Sequence, residues 1–357
     1  MTSKNFKKVP TDLYSIIKIM LFKFSKYHFI LLVVLVFAAI TNITIGSVKI
    51  PLQAISDMVF GNFEGKASWE YIVINYRIPK LITCIVIGSA LSVAGMLMQT
   101  LFQNPMAEPY VLGVSSGASL GVALCVLGGS VLPLSLQQLF NSSIAVSTFA
   151  LIGSVLVMTI VLFLSQRIKN SVTLLIIGLM FSSFTSAFVN VLAYLSTAEE
   201  LKKFTLWNLG SLGNVGYDKL AFIVPILLIG LLLAFVMCKA LNSLLLGETY
   251  AQTLGVNLKY TKFLIILATC ILVAMSTAFV GPIGFLGLAV PHITRILYKT
   301  TNHLVLLIGN VLIGSIVLVV CDIICQLPGE SLALPINAIT SILGAPVVII
   351  MLLRKRI

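Results

Sequence analysis

The chain has 357 residues, 59% of them hydrophobic and 10% charged, and its mean hydropathy is +1.10. Soluble domains carry about 25% charged residues, so this composition excludes them and indicates an all-α, polytopic membrane protein. The net charge of +12 could suit nucleic acid, but the charges lie between apolar runs and no basic patch is interleaved with aromatics, which argues against that partner.

Residues 1–27 form a basic N-terminal segment with Lys4, Lys7, Lys8, Lys18, Lys23 and Lys26. Within it Leu13–Phe24 is amphipathic, and it either lies on the inner membrane surface or belongs to a solvated tail. The segment is not a cleavable signal, because the apolar run after it is long enough to span. Residues 28–357 read as one membrane domain with ten spans, near 28–48, 79–101, 110–128, 143–165, 172–195, 218–239, 263–281, 283–297, 303–323 and 335–353. A hydrocarbon core needs about 20 helical residues, and all but one of these runs approximate that. The exception, Ile283–Leu297, is short and carries Pro291, His292 and Arg295, so it requires protein rather than lipid around it.

Lysine and arginine set the expected orientation. Lys49, Lys66, Arg77, Lys80, Lys202, Lys203 and Lys219 fall in outer segments; the rest of the 23 basic residues face inward, with both termini cytoplasmic. The outer segment 196–217 reads as a short surface helix followed by a Gly-rich turn. On the inner side lies the segment 241–262. Its middle, Glu248–Leu254, can form about two helical turns, with Gly247 before it and Gly255 as a left-handed stop. A short capped helix held between two spans has the shape of a docking knob.

Chemistry is sparse. The three histidines (His28, His292, His303) form no recognisable catalytic spacing, and no carboxylates pair inside the spans. The centres of the long spans hold no charge of the kind that ion-driven carriers use. The nearest approach to a phosphate-binding loop, Gly61–Ala67, is one residue short and lacks the Ser/Thr. If ATP powers this chain, another subunit binds it. Six cysteines (84, 125, 238, 270, 321, 325) fall in or beside apolar runs without a CxxC pair and read as small apolar filler, with no metal site.

Three patterns stand out. Gly113, Gly117 and Gly121 repeat at four and allow close helix packing. Ser182, Ser186, Asn190 and Tyr194 repeat at four along the fifth span; they are either hydrogen-bonding partners between helices or the wall of a translocation pathway. Arg77-Ile78-Pro79-Lys80 opens the second span with Pro79 suited to a first helical turn; its two basic residues either anchor the span or await an acidic partner.

At these residues the chain resembles a known family. Arg77–Lys80, Gly95–Gln99, Asn104–Pro109, Leu112–Ala118, Gly281–Leu288 with Val290–Ile293 and Arg295, and Leu343–Pro346 are similar to the FecCD-type, or type II, permease subunits of ABC importers for iron-siderophore, haem and vitamin B12. Gly247, Glu248, Ala251, Leu254 and Gly255 resemble their coupling segment. The resemblance covers roughly residues 28–353. It implies a ten-helix permease in a bacterial cell membrane and a second permease subunit, as homodimer or heterodimer. It also implies two cytoplasmic ATPases on the coupling helices and a soluble binding protein outside. No cofactor binds directly, since ATP is used by the partner, and the chain is a transport subunit rather than an enzyme. Arg77 and Lys80 match positions that offer charge to the binding protein. One departure concerns Asp322-Ile323-Ile324-Cys325, where Gln326 follows in place of a basic residue, so that docking charge is reduced or shifts to Lys202 or Lys203. Cobalamin is the alternative cargo, and a secondary carrier of a small solute is the rival class.

Overall fold

The computed structural model describes residues 13–48, 50–61, 65–128, 142–168, 171–327 and 333–354. Lys4, Lys7, Lys8, Lys49, Lys169, Lys355, Arg356 and residues 62–64 of the Gly61–Ala67 run lie outside the described residues. Helix α1, Leu13–Thr44, is continuous for 32 residues, so the amphipathic stretch Leu13–Phe24 runs without a break into the first span. Helix α2 is Leu52–Phe60. Helix α3, Ala67–Ile72, passes through a π turn, Val73–Arg77, into α4, Ile78–Leu101. Pro79 stands in the first turn of α4, as expected, although the chain ahead of it is already helical. A proline inside a helix clashes with the carbonyl four residues back, and a π turn placed just ahead of it relieves that clash.

A 3-10 turn, Pro109–Leu112, leads into α5, Val114–Val126, followed by α6, Ser143–Arg167, and α7, Ser171–Leu195. The surface helix α8, Ala198–Asn208, starts at a capping box made by Thr197 and Glu200. Helix α9 is Tyr217–Val236, α10 Cys238–Leu244, α11 Glu248–Thr253 and α12 Leu258–Val280. The chain ends with α13, Leu286–Tyr298, α14, His303–Gln326, and α15, Ile336–Arg354. Among the described residues, seven helices are long and apolar enough to cross a membrane.

Two of the expected spans are half-length. Helices α5 and α13 have 13 residues each, about 20 Å at 1.5 Å per residue, against a hydrocarbon core of about 30 Å. Each starts after a residue in the left-handed region, Gly113 at φ +80° and Phe285 at φ +67°. The series α4–α5–α6–α7, of 24, 13, 25 and 25 residues, is echoed by α12–α13–α14–α15, of 23, 13, 24 and 19. The upper end of the bundle is defined by Arg77 and the lower by Glu248. The first series starts at the upper end and the second at the lower. This is an inverted repeat of the kind found in membrane transporters, and the sequence alone did not reveal it.

Helix α4 is the hub. Ile87, Ala90, Val93, Ala94, Met96, Leu97 and Met98 on it are wholly buried. Glycines bring backbones together around it: a methyl on Gly95 would collide with the Gly287 carbonyl of α13, and one on Gly88 with the Gly314 carbonyl of α14. Hydroxyls seal the α4–α14 seam, with Ser89 Oγ 2.9 Å from Ser315 Oγ and Ser92 donating to the Asn310 carbonyl at 2.8 Å.

Candidate functional site

At the lower end α11 projects between α10 and α12. Gly247 at φ +97° supplies a turn that a side chain would strain. At its other end Val256 N–H bonds the Ala251 carbonyl (3.1 Å) and Gly255 N–H bonds the Gln252 carbonyl (2.9 Å). With Gly255 at φ +85°, this is a Schellman stop. Ala251 is fully buried and seats the helix, while Glu248 Oε1 pairs with Lys262 Nζ at 2.8 Å and ties it to α12. Apolar side chains at and beside its two ends stay uncovered: Leu246, Tyr250 and Leu254 are each more than half exposed. A water-facing surface normally hides such side chains, so this exposed apolar group is a candidate contact for another protein.

The upper end is built differently. Arg77 is buried and donates to the carbonyls of Ile43, Thr44 and Val48 at the end of α1. Lys80 pairs with Asp322 of α14 at 2.7 Å. Asp322 also accepts from Asn42 Nδ2 at 2.8 Å and from Gln326 Nε2 at 2.7 Å. Of the two readings of these outward cations, the single chain shows in-chain engagement: the packing of α1, α4 and α14 surrounds both with acceptors. Gln326, read as a missing charge, serves as a neutral donor that helps to satisfy a buried carboxylate. The clasp borders a cavity of about 830 Å³, also lined by Lys203, Trp207, Val280 and Ile336.

Between the two ends, the leads into the half-helices meet. Unwound backbone is tolerated at membrane depth only where protein satisfies it. Tyr110 OH donates to the Ile283 carbonyl at 2.7 Å and accepts from Ile283 N–H at 3.0 Å. Asn337 Oδ1 accepts from Gly284 N–H at 3.1 Å, and Glu108 Oε1 from Phe285 N–H at 2.9 Å. Glu108 and Tyr110 lie in or beside the Asn104–Pro109 motif, but nothing in their local spacing points to residues 283–285.

The polar ridge of α7 divides. Ser182 is half-buried, donates to the Gly178 carbonyl at 3.0 Å, and lies against Gly113. Ser186 and Asn190 face outward from the chain, beside the exposed Phe184–Phe188 ring pair, and Tyr194 is 89% exposed. Gly117 and Gly121 pack on α6, where added methyls would meet the Gly153 and Phe149 carbonyls; Gly113 is not part of that contact and faces α7.

An inverted repeat of membrane helices, a re-entrant polar joint and a protruding apolar knob define a polytopic transport protein. The chain belongs to the FecCD transport family, whose model matches residues 31–354. It is 34% identical over 331 residues to the hemin transport system permease HmuU of Yersinia pestis, covering 91% of this chain and 95% of that one. It is 36% identical over 295 residues to the vitamin B12 import permease BtuC of Salmonella newport (81% and 86%), and 34% identical over 325 residues to the uncharacterized ABC transporter permease YvrB of Bacillus subtilis (88% and 90%). Among solved structures, a metal-chelate type ABC transporter in an inward-facing conformation superposes with a TM-score of 0.80 at 27% identity, covering 92% of this chain and 99% of that one.

Proposed function

We propose that this chain is the membrane permease subunit of an ATP-driven importer for a metal chelate of the iron-siderophore, haem or cobalamin class. The single observation that carries the reading is the α11 knob: rigidly capped at both ends, seated by Ala251, and exposing Leu246, Tyr250 and Leu254 at one end of the bundle. Such a face suits the groove of a separate cytoplasmic ATPase, whose movement on nucleotide binding would be delivered to α10 and α12. The haem and vitamin B12 permeases among its relatives, and the metal-chelate transporter it superposes on, support the cargo class. The knob end is cytoplasmic by the lysine and arginine bias, which puts both termini inside and the Arg77 end outside.

The rest of the assembly follows from this frame. The outward face of α7, with Ser186 and Asn190, meets a second permease subunit and lines the path between them. A binding protein delivers cargo at the upper end. There Lys80, partly exposed, can exchange Asp322 for an acidic side chain of that protein, whereas buried Arg77 holds the α1 end in place.

Replacing Glu248–Leu254 with a Gly-Ser linker of equal length and measuring ATP-dependent uptake of haem, a ferric chelate and cobalamin in proteoliposomes tests the reading. Uptake should disappear while the chain still inserts and purifies. Uptake at the native rate would refute it, and gradient-driven transport by the chain alone would favour a secondary carrier.

A further inference from the structure

The root of the knob is α10, and it is tied to two other helices by side chains with no role in the reading above. Asn242 lies one turn before Leu246. Its Oδ1 accepts from the His303 backbone N–H at 2.9 Å and lies 2.8 Å from His303 Nδ1, at the start of α14. A backbone N–H only donates, so the amide oxygen must face it; that oxygen only accepts, so Nδ1 carries a proton. The other ring nitrogen, Nε2, lies 2.9 Å from Thr100 Oγ1 at the end of α4. A second strut runs from Gln103 Nε2 to the Leu244 carbonyl at 3.0 Å. His303 is 1% and Thr100 3% exposed, so water cannot readily replace these partners.

The line continues along α4. Gln99, one residue before Thr100, accepts from Arg295 Nη1 of α13 at 2.6 Å and donates to the Gly287 and Leu288 carbonyls at 3.2 Å. Those carbonyls belong to the first turn of α13, next to the joint at residues 281–285. Apolar contacts allow helices to slide past one another. Buried hydrogen bonds resist it, because each displaced donor or acceptor is left unpaired.

We infer that Asn242 and His303 are positioning residues of the transport cycle: they hold α10 in register with α4 and α14, so that a displacement of α11 reaches α13. This rests on the reading of α11 as the segment that meets the ATPase. Their role is to transmit movement, and neither needs to touch cargo or nucleotide.

The test uses the permease reconstituted with its ATPase, reading ATPase co-purification, ATP turnover and cargo taken up per ATP. In Asn242→Ala the ATPase should stay bound and ATP turnover remain within about twofold, while uptake per ATP falls roughly tenfold. His303→Ala should do the same, and the double variant should be no worse than either single one, as expected for two ends of one tie. Asn242→Asp keeps the accepting oxygen and should restore most of the coupling, whereas Asn242→Leu keeps the bulk without the acceptor and should not, which a general packing role for the side chain would not predict. Native uptake per ATP in Asn242→Ala overturns the inference, as does an equal loss in Asn242→Asp. Wild-type uptake that needs no nucleotide would instead remove the docking reading on which the inference rests.

Discussion

The two ends of the bundle handle their surfaces in opposite ways. At the upper end four polar side chains from three helices, Asn42, Lys80, Asp322 and Gln326, satisfy one another in a nearly buried clasp. At the lower end α11 holds itself by backbone caps and one partly exposed ion pair, and leaves leucines and a tyrosine uncovered. Polar groups already paired contribute to the stability of the chain itself, whereas apolar groups left in water are free to contribute to association. The contrast therefore separates residues that hold this chain together from residues that serve a partner, and substitutions can sharpen or break that division.

The largest loss of stability is expected for Asp322→Ala. It leaves Lys80 without its counter-ion and Asn42 without its acceptor, and should cost about 3–5 kcal/mol in thermal or denaturant unfolding in detergent. A change below about 1 kcal/mol would mean that the clasp is well solvated and that the two ends are alike.

Next comes Glu108. In Glu108→Ala the Phe285 N–H at the joint loses its acceptor, for a cost of about 1–3 kcal/mol, whereas Glu108→Gln keeps an accepting oxygen and should cost less. Thermal unfolding in detergent should rank the wild type above Glu108→Gln and Glu108→Gln above Glu108→Ala; equal losses in the two variants would contradict this.

A smaller effect is expected at the knob. Glu248→Gln breaks a pair whose carboxylate is 38% exposed, and unfolding stability should drop by about 0.2–1 kcal/mol, less in high salt. The smallest effect on folding belongs to the double variant Leu246→Asp, Tyr250→Asp. Both side chains face water, so unfolding should shift by no more than about 0.5 kcal/mol. Capture of the ATPase in a pull-down should nevertheless be abolished. Destabilisation comparable to that of Asp322→Ala would mean that the apolar face serves the fold of this chain.

Much of this was legible in the sequence because it is local. Apolar runs placed the spans, and Gly247 and Gly255 bounded α11 through their left-handed backbone. Elsewhere a backbone turn or a distant partner decided what hydropathy and spacing did not. The Gly113–Gly121 repeat was read as one stripe, but Gly113 lies before α5 in a left-handed turn and turns toward α7. The span near 110–128 looked full length by hydropathy, although Pro109 and Gly113 delay the helix until Val114. Arg77 and Lys80 looked available because their partners, the carbonyls after α1 and the carboxylate of Asp322, lie far away along the chain.

The sequence by itself determined the membrane class, the helical segments and the family motifs, since hydropathy, periodicity and cap chemistry act over a few residues. Only the tertiary structure decided that Glu108 meets Phe285, 177 residues away, and that Asn242 meets His303, 61 residues away. Such partners are set by how glycine-lined helices pack in three dimensions, where a buried donor takes whichever acceptor the packing brings within reach.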